Sequence, residues 1–164
     1  MRLIAALAAL IFVTDHVTKY FALRHLRLGV PVPVVDGLFA LTLVMNPGLA
    51  FGMLGGIPES LRWTVGVLSL GALILLAVLA ARVLPTGGPW ARVALGLIFG
   101  GAAGNLVDRV RFGAVVDFLD FYWRDYHWPA FNVADSAISV GVTLLALRML
   151  VEALHDFSCV APVR

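Results

Sequence analysis

From Trp63 to Ala81 the chain runs for nineteen residues without an ionisable side chain, bounded by Arg62 and Arg82. At 1.5 Å rise per residue a helix of that length covers about 28 Å, close to the ~30 Å hydrocarbon core of a bilayer. One span of this kind makes the chain a membrane protein, and the composition agrees. Of 164 residues, 61% are hydrophobic and 13% charged, where an ordinary soluble domain carries about 25% charged residues. The mean hydropathy of +0.96 leaves no stretch polar enough for a separate soluble domain, so residues 1–164 are expected to form a single membrane-embedded domain. The formal net charge of +2 comes from twelve scattered Lys and Arg. No basic run could follow a phosphate backbone, which excludes nucleic acid as a partner. Cys159 is the single cysteine, so neither an internal disulfide nor a multi-thiolate metal site is available.

Three further spans are interrupted or closely flanked by charge. Residues 3–24 begin like a signal peptide, but the apolar character resumes past Asp15 and Lys19 to Leu23, which predicts a retained first helix. A third helix begins near Pro89 or carries Asn105, Asp108 and Arg109 in its last turns. The fourth, from about Phe131 to Leu154, takes Asp135 and Arg148 with it. An ionisable side chain in a transmembrane helix costs a few kcal/mol at mid-bilayer, so it faces a partner, water or a substrate. Between the first two helices, Val30–Val35, Asp36-Gly37 and Leu38–Val44 read as strand, turn and strand. Pro31 and Pro33 put the first strand at an edge, and Asn46-Pro47-Gly48 ends the second. Pro85-Thr86-Gly87-Gly88-Pro89 reads as a tight reversal. Phe118 to Trp128 reads as an interfacial aromatic stretch, either anchor or lid. The expected fold is an all-α membrane protein of four transmembrane helices with a small surface β-sheet.

Because successive helices alternate direction, the end of the first, the start of the second, the end of the third and the start of the fourth share one membrane face. That face receives Asp15, Lys19, Asn46, Asn105, Arg109, Asp117, Asn132 and Asp135. Two carboxylates brought together at the edge of a low-dielectric medium do not both ionise easily, so one is held protonated. This is the aspartic protease arrangement: one carboxylate deprotonates water and the other hydrogen-bonds the scissile carbonyl, with no metal or cofactor. Ser136 and Ser139 lack a Gly-x-Ser-x-Gly elbow, and the four histidines lack metal-ligand spacing. Composition does not choose among Asp108, Asp117, Asp120, Asp125 and Asp135, and Asp120 would share the face of Asp117 if that stretch were helical. A small proton-coupled transporter is the alternative, although a relay would spread its acids through the membrane depth.

The chain resembles the lipoprotein signal peptidases in five blocks in order: Asp15–Lys19, Asn46–Gly52, Gly100–Arg109, Gly113–Phe121 and Phe131–Ile138. The resemblance implies a catalytic dyad of Asp117 and Asp135 and a small extracytoplasmic sheet. It also implies a multi-pass protein of the bacterial inner membrane, with both termini cytoplasmic and its site near the outer surface. The implied partners are membrane lipid and diacylglyceryl-modified prolipoproteins, cleaved just before the lipidated cysteine, and a monomer is expected. Leu49 stands where the family commonly has alanine. Asp15 and Lys19, with acid-before-base i, i+4 spacing, either support the site or touch substrate. Asn105 and Arg109 repeat the spacing, Arg109 gripping either substrate or a carboxylate such as Asp108. Asn46 and Asn132 either hold substrate and dyad or serve as turn and cap residues. Gly48 and Gly101 admit close approach of substrate or, for Gly101 and Gly104, of a neighbouring helix.

Overall fold

A computed structural model describes residues 1–48, 58, 60, 62–83 and 88–160. Leu49 and the Pro85–Gly87 part of the expected reversal lie outside them. Among the described residues, four helices are long and apolar enough to cross a membrane: α1 (Arg2–His25), α2 (Arg62–Val83), α3 (Gly88–Phe112) and α4 (Val133–Val160). The protein is a multi-pass membrane protein. Half of the α3 span is buried, against 17% of α1 and 11% of α2 and of α4. The other three helices therefore surround α3 and leave their outer faces to lipid.

Glycine makes that packing possible. A Cβ at Gly96, Gly100 or Gly104 would meet α1, at 2.8 Å from Leu7 Cβ, 2.6 Å from the Ala8 carbonyl and 2.6 Å from Asp15 Oδ2 respectively. These glycines recur every fourth residue, the small-xxx-small pattern by which membrane helices approach closely. Gly101 turns the other way, where its Cβ would collide with the Ala134 carbonyl and lie 2.9 Å from Ile138 on α4. Gly101 thus seats one helix against another.

The sheet has four antiparallel strands in the order β1 (Val32–Val35), β2 (Phe39–Asn46), β3 (Val115–Trp123) and β4 (Tyr126–His127). The β1–β2 hairpin turns at Gly37, φ +77°, and the proline-bearing β1 is an edge strand, as its sequence predicts. The hairpin β3–β4 was not legible: the Phe118–Trp128 stretch belongs largely to it. Its inner residues are core, whereas Trp123 and Tyr126 are exposed. Gly113, φ +66°, stops α3 one residue past Phe112 and redirects the chain into β3. Val116 and Phe118 then pack with Ala22 of α1 and Leu43 of β2. This cluster fixes the sheet to the end of the bundle and sets the position of Asp117 between its two residues.

Candidate active site

Asp117 lies on β3 and Asp135 in the first turn of α4, and Asn132 joins them. Asn132 caps α4: its Oδ1 accepts from the Asp135 amide at 2.9 Å, while the Asn132 amide donates to Asp135 Oδ2 at 3.3 Å. This is a reciprocal capping box with carboxylate at the third helical position. The same side chain's Nδ2 donates to Asp117 Oδ1 at 2.7 Å. Asn105 Oδ1 and the Val116 carbonyl both lie 3.2 Å from that nitrogen, but an amide has two hydrogens, so the shorter bond to Asp117 and one of these are made together. Asn132 is both a cap and a support of the two carboxylates, so the two sequence readings coincide.

Each carboxylate has a second amide donor. Asn46 Nδ2 reaches Asp117 Oδ2 at 3.1 Å, its own Oδ1 accepting from the Gly48 amide. Asn105 Nδ2 reaches Asp135 Oδ1 at 2.7 Å. Asp117 is 1% exposed. Burial, then the nearby Asp135 charge, push its pKa up to about 7, while the bonds from Asn46 and Asn132 pull it down. Burial and the Asp135 charge thus favour the protonated form of Asp117 near neutral pH.

Asp15 and Lys19 are buried, 0% and 2% exposed, and pair inside the bundle, which favours support of the site over contact with substrate. Lys19 Nζ lies 2.7 Å from Asp15 and 2.7 Å from Asp108. Asp108 is thus the partner of Lys19 and not of Arg109, the pairing the sequence offered. Arg109 instead donates from Nη1 to the Asn105 carbonyl and from Nη2 to the Gly48 carbonyl, at 3.2 and 3.1 Å. Among the described residues its buried Nε has no hydrogen-bond partner. Asp120 does not join Asp117. It accepts from Thr42 Oγ1 at 2.8 Å and meets His127 Nδ1 at 2.9 Å, tying β2 and β4 to β3.

A cavity of about 900 Å³ opens beside Asp135. One face of α2 (Leu68, Ala72, Leu76) and one of α4 wall it, and α3 lines its base; Asn46, Asn105, Arg109 and Asp135 gather in its lining. An apolar trough with a few convergent polar groups is the usual form of a small-molecule or lipid site.

The family model for signal peptidase II matches residues 7–151. The chain belongs to the signal peptidase II family. Among relatives of the family, the lipoprotein signal peptidase of Geobacter metallireducens is 46% identical over 91% of both chains. That of Geobacter sulfurreducens is 50% identical over 85% of this chain and 86% of its own. A bacterial membrane enzyme solved by the in meso method at 2.3 Å resolution superposes with a TM-score of 0.70 at 29% identity, covering 97% of this chain and 92% of the other. A signal peptidase II chain is a peptidase, and its candidate groups are those gathered around Asn132.

Proposed function

We propose that the protein is an aspartyl endopeptidase that removes signal peptides from prolipoproteins, with Asp117 and Asp135 as its catalytic pair. The supporting observation is the Asn132 bridge, which holds the buried Asp117 and the half-buried Asp135, on separate elements, in one hydrogen-bonded group. One carboxylate is ionised and takes a proton from the attacking water. The other is protonated and donates to the scissile carbonyl oxygen as the tetrahedral intermediate forms. On collapse the leaving amine takes a proton from the pair. The raised pKa of Asp117, about 7, favours it as a holder of the shared proton at neutral pH.

The substrates are diacylglyceryl-modified prolipoproteins, cut immediately before the lipidated cysteine. Acyl chains entering sideways from the bilayer would lie along the apolar walls of α2 and α4, and burial from water contributes about 0.8 kcal/mol per CH₂. Arg109, whose Nε has no partner among the described residues, is a donor for the substrate backbone or glyceryl ester. Four spans put both ends on one side, here the cytoplasm, with the site at the outer surface of the inner membrane and the enzyme acting as a monomer. The proton-coupled transporter receives no support from the family or the relatives.

The test incubates detergent-purified protein with a diacylglyceryl-modified prolipoprotein and follows the gel shift. Wild type and Asp120→Asn are expected to cleave. Asp117→Asn and Asp135→Asn, still folded, are expected to lose at least about 100-fold, the lower range for a general acid or base. Cleavage by all four proteins rejects the dyad.

A further inference from the structure

Lys19 touches neither carboxylate of the proposed dyad, yet each of its three contacts, two ion pairs and one hydrogen bond, leads towards one of them. The first is the ion pair with Asp15 Oδ2, 2.7 Å away, and Asp15 Oδ1 accepts from the amide of Ala134 at 2.9 Å. Ala134 immediately precedes Asp135. The second is directed at Asp108 Oδ2, 2.7 Å away, which also accepts from the amide of Val116 at 3.2 Å. Val116 immediately precedes Asp117. The third goes to Asn105 Oδ1 at 2.9 Å. A lysine ammonium has no acceptor, so it fixes which end of the Asn105 amide faces it and leaves Nδ2 to reach Asp135 at 2.7 Å. Gly104 is part of the arrangement, since any Cβ there would stand 2.6 Å from Asp15 Oδ2.

We propose that Lys19 is a positioning residue that clamps the backbone on the amino side of both Asp117 and Asp135. This rests on the dyad reading above. Charge neutralisation within the bundle needs only one acid beside one base; it does not require that both acids hold the amides next to the dyad. The clamp joins α1, α3, β3 and α4 through one buried ammonium, so the separation of two carboxylates on different elements is set from a third. A nucleophile and an acid misplaced by about 1 Å lose on the order of 100-fold in rate, with substrate binding little affected.

The experiment compares ¹⁵N-labelled wild type, Lys19→Met and Asp117→Asn in detergent, measuring kcat, KM for the lipidated substrate and amide hydrogen exchange. For Lys19→Met the expected result is a loss in kcat of about 100-fold with KM unchanged. Exchange should quicken at Val116 and Ala134 while amides inside α2 keep their protection. A folded Lys19→Met that retains kcat, or retains protection at those two amides, overturns the proposal. Uniform quickening that includes α2, with kcat and KM failing together, marks loss of fold. If Lys19→Met does not fold, Asp108→Ala and Asp15→Ala are measured instead. The first is expected to release Val116 alone and the second Ala134 alone, and any other pattern overturns the clamp. Asp117→Asn separates the two readings: its cleaving substrate rejects the dyad and the positioning role with it. An inactive Asp117→Asn beside a fully protected Lys19→Met rejects the clamp alone.

Discussion

Asp117 is buried between packed layers, where its charge is poorly solvated, and this makes its protonation a stability term. Its folded pKa is raised from 3.8 to about 7, first by burial and then by the Asp135 charge. A raised pKa means that the folded state binds the proton more tightly than the unfolded chain. The stabilisation is complete below 3.8 and is lost as pH rises through about 7. Asn at this position resembles the protonated acid and does not titrate. Relative to wild type, Asp117→Asn should therefore gain thermal stability steadily between those two pH values, as followed by melting in detergent. A difference that is flat across that interval would contradict the shift. At this scale the sequence was only partly legible. It offered several acids on one membrane face, and only the resemblance in the Gly113–Phe121 and Phe131–Ile138 blocks singled out two. Asp120 and Asp117 would share a face only in a helix; the segment is a strand, in which residues three apart point to opposite sides. Asn132 was legible as a cap or as a support. That one side chain does both depends on β3 passing beside the start of α4, which no local pattern records.

The helices were readable because each needs about twenty apolar residues and the breaks in hydropathy are few. The hairpin β1–β2 was readable from Asp36-Gly37 between valine-rich segments. Strand β3 was not, for a physical reason: its first four residues are all buried, so the alternation that marks a half-buried strand is absent. The glycine ladder of α3 carried a signal that was read only in part. Gly101 and Gly104 stood out, but the fourfold spacing of Gly96, Gly100 and Gly104 reveals the α1 face itself. Ala at Gly101 would drive a methyl into the Ala134 carbonyl and should destabilise by about 1–3 kcal/mol, the usual cost of overpacking. Gly66 and Gly71 of α2 have nothing within 4 Å of a Cβ, so Ala there should be neutral or stabilising by up to about 1 kcal/mol. Melting temperatures of the three variants in one detergent decide this. Equal losses at Gly66, Gly71 and Gly101 would mean that glycine serves backbone freedom rather than helix approach.

At the scale of the whole molecule, the deduction that polar groups converge on one end of the bundle followed from helix alternation alone, and the fold agrees with it. The lateral cavity could not be deduced, because it depends on which helices remain apart. Both α2 and α4 pack on α3, and the space between them is the trough beside Asp135. Residues of α2 lining it recur at Leu68, Ala72 and Leu76, one helical face, with Leu73 beside them. If acyl chains bind along this face, Leu73→Trp should fill part of the trough and leave the hydrogen bonds around Asn132 untouched. The expected effect is a rise in KM of about tenfold, equivalent to about 1.4 kcal/mol of binding, with kcat near the wild-type value. Substrates of graded acyl length make the argument specific. In wild type KM should fall as chains lengthen, since each further CH₂ finds apolar surface, whereas in Leu73→Trp the dependence should flatten once chains reach the indole. Parallel slopes in the two proteins would put the acyl chains elsewhere, and the trough would then be a place where membrane lipid packs between two helices.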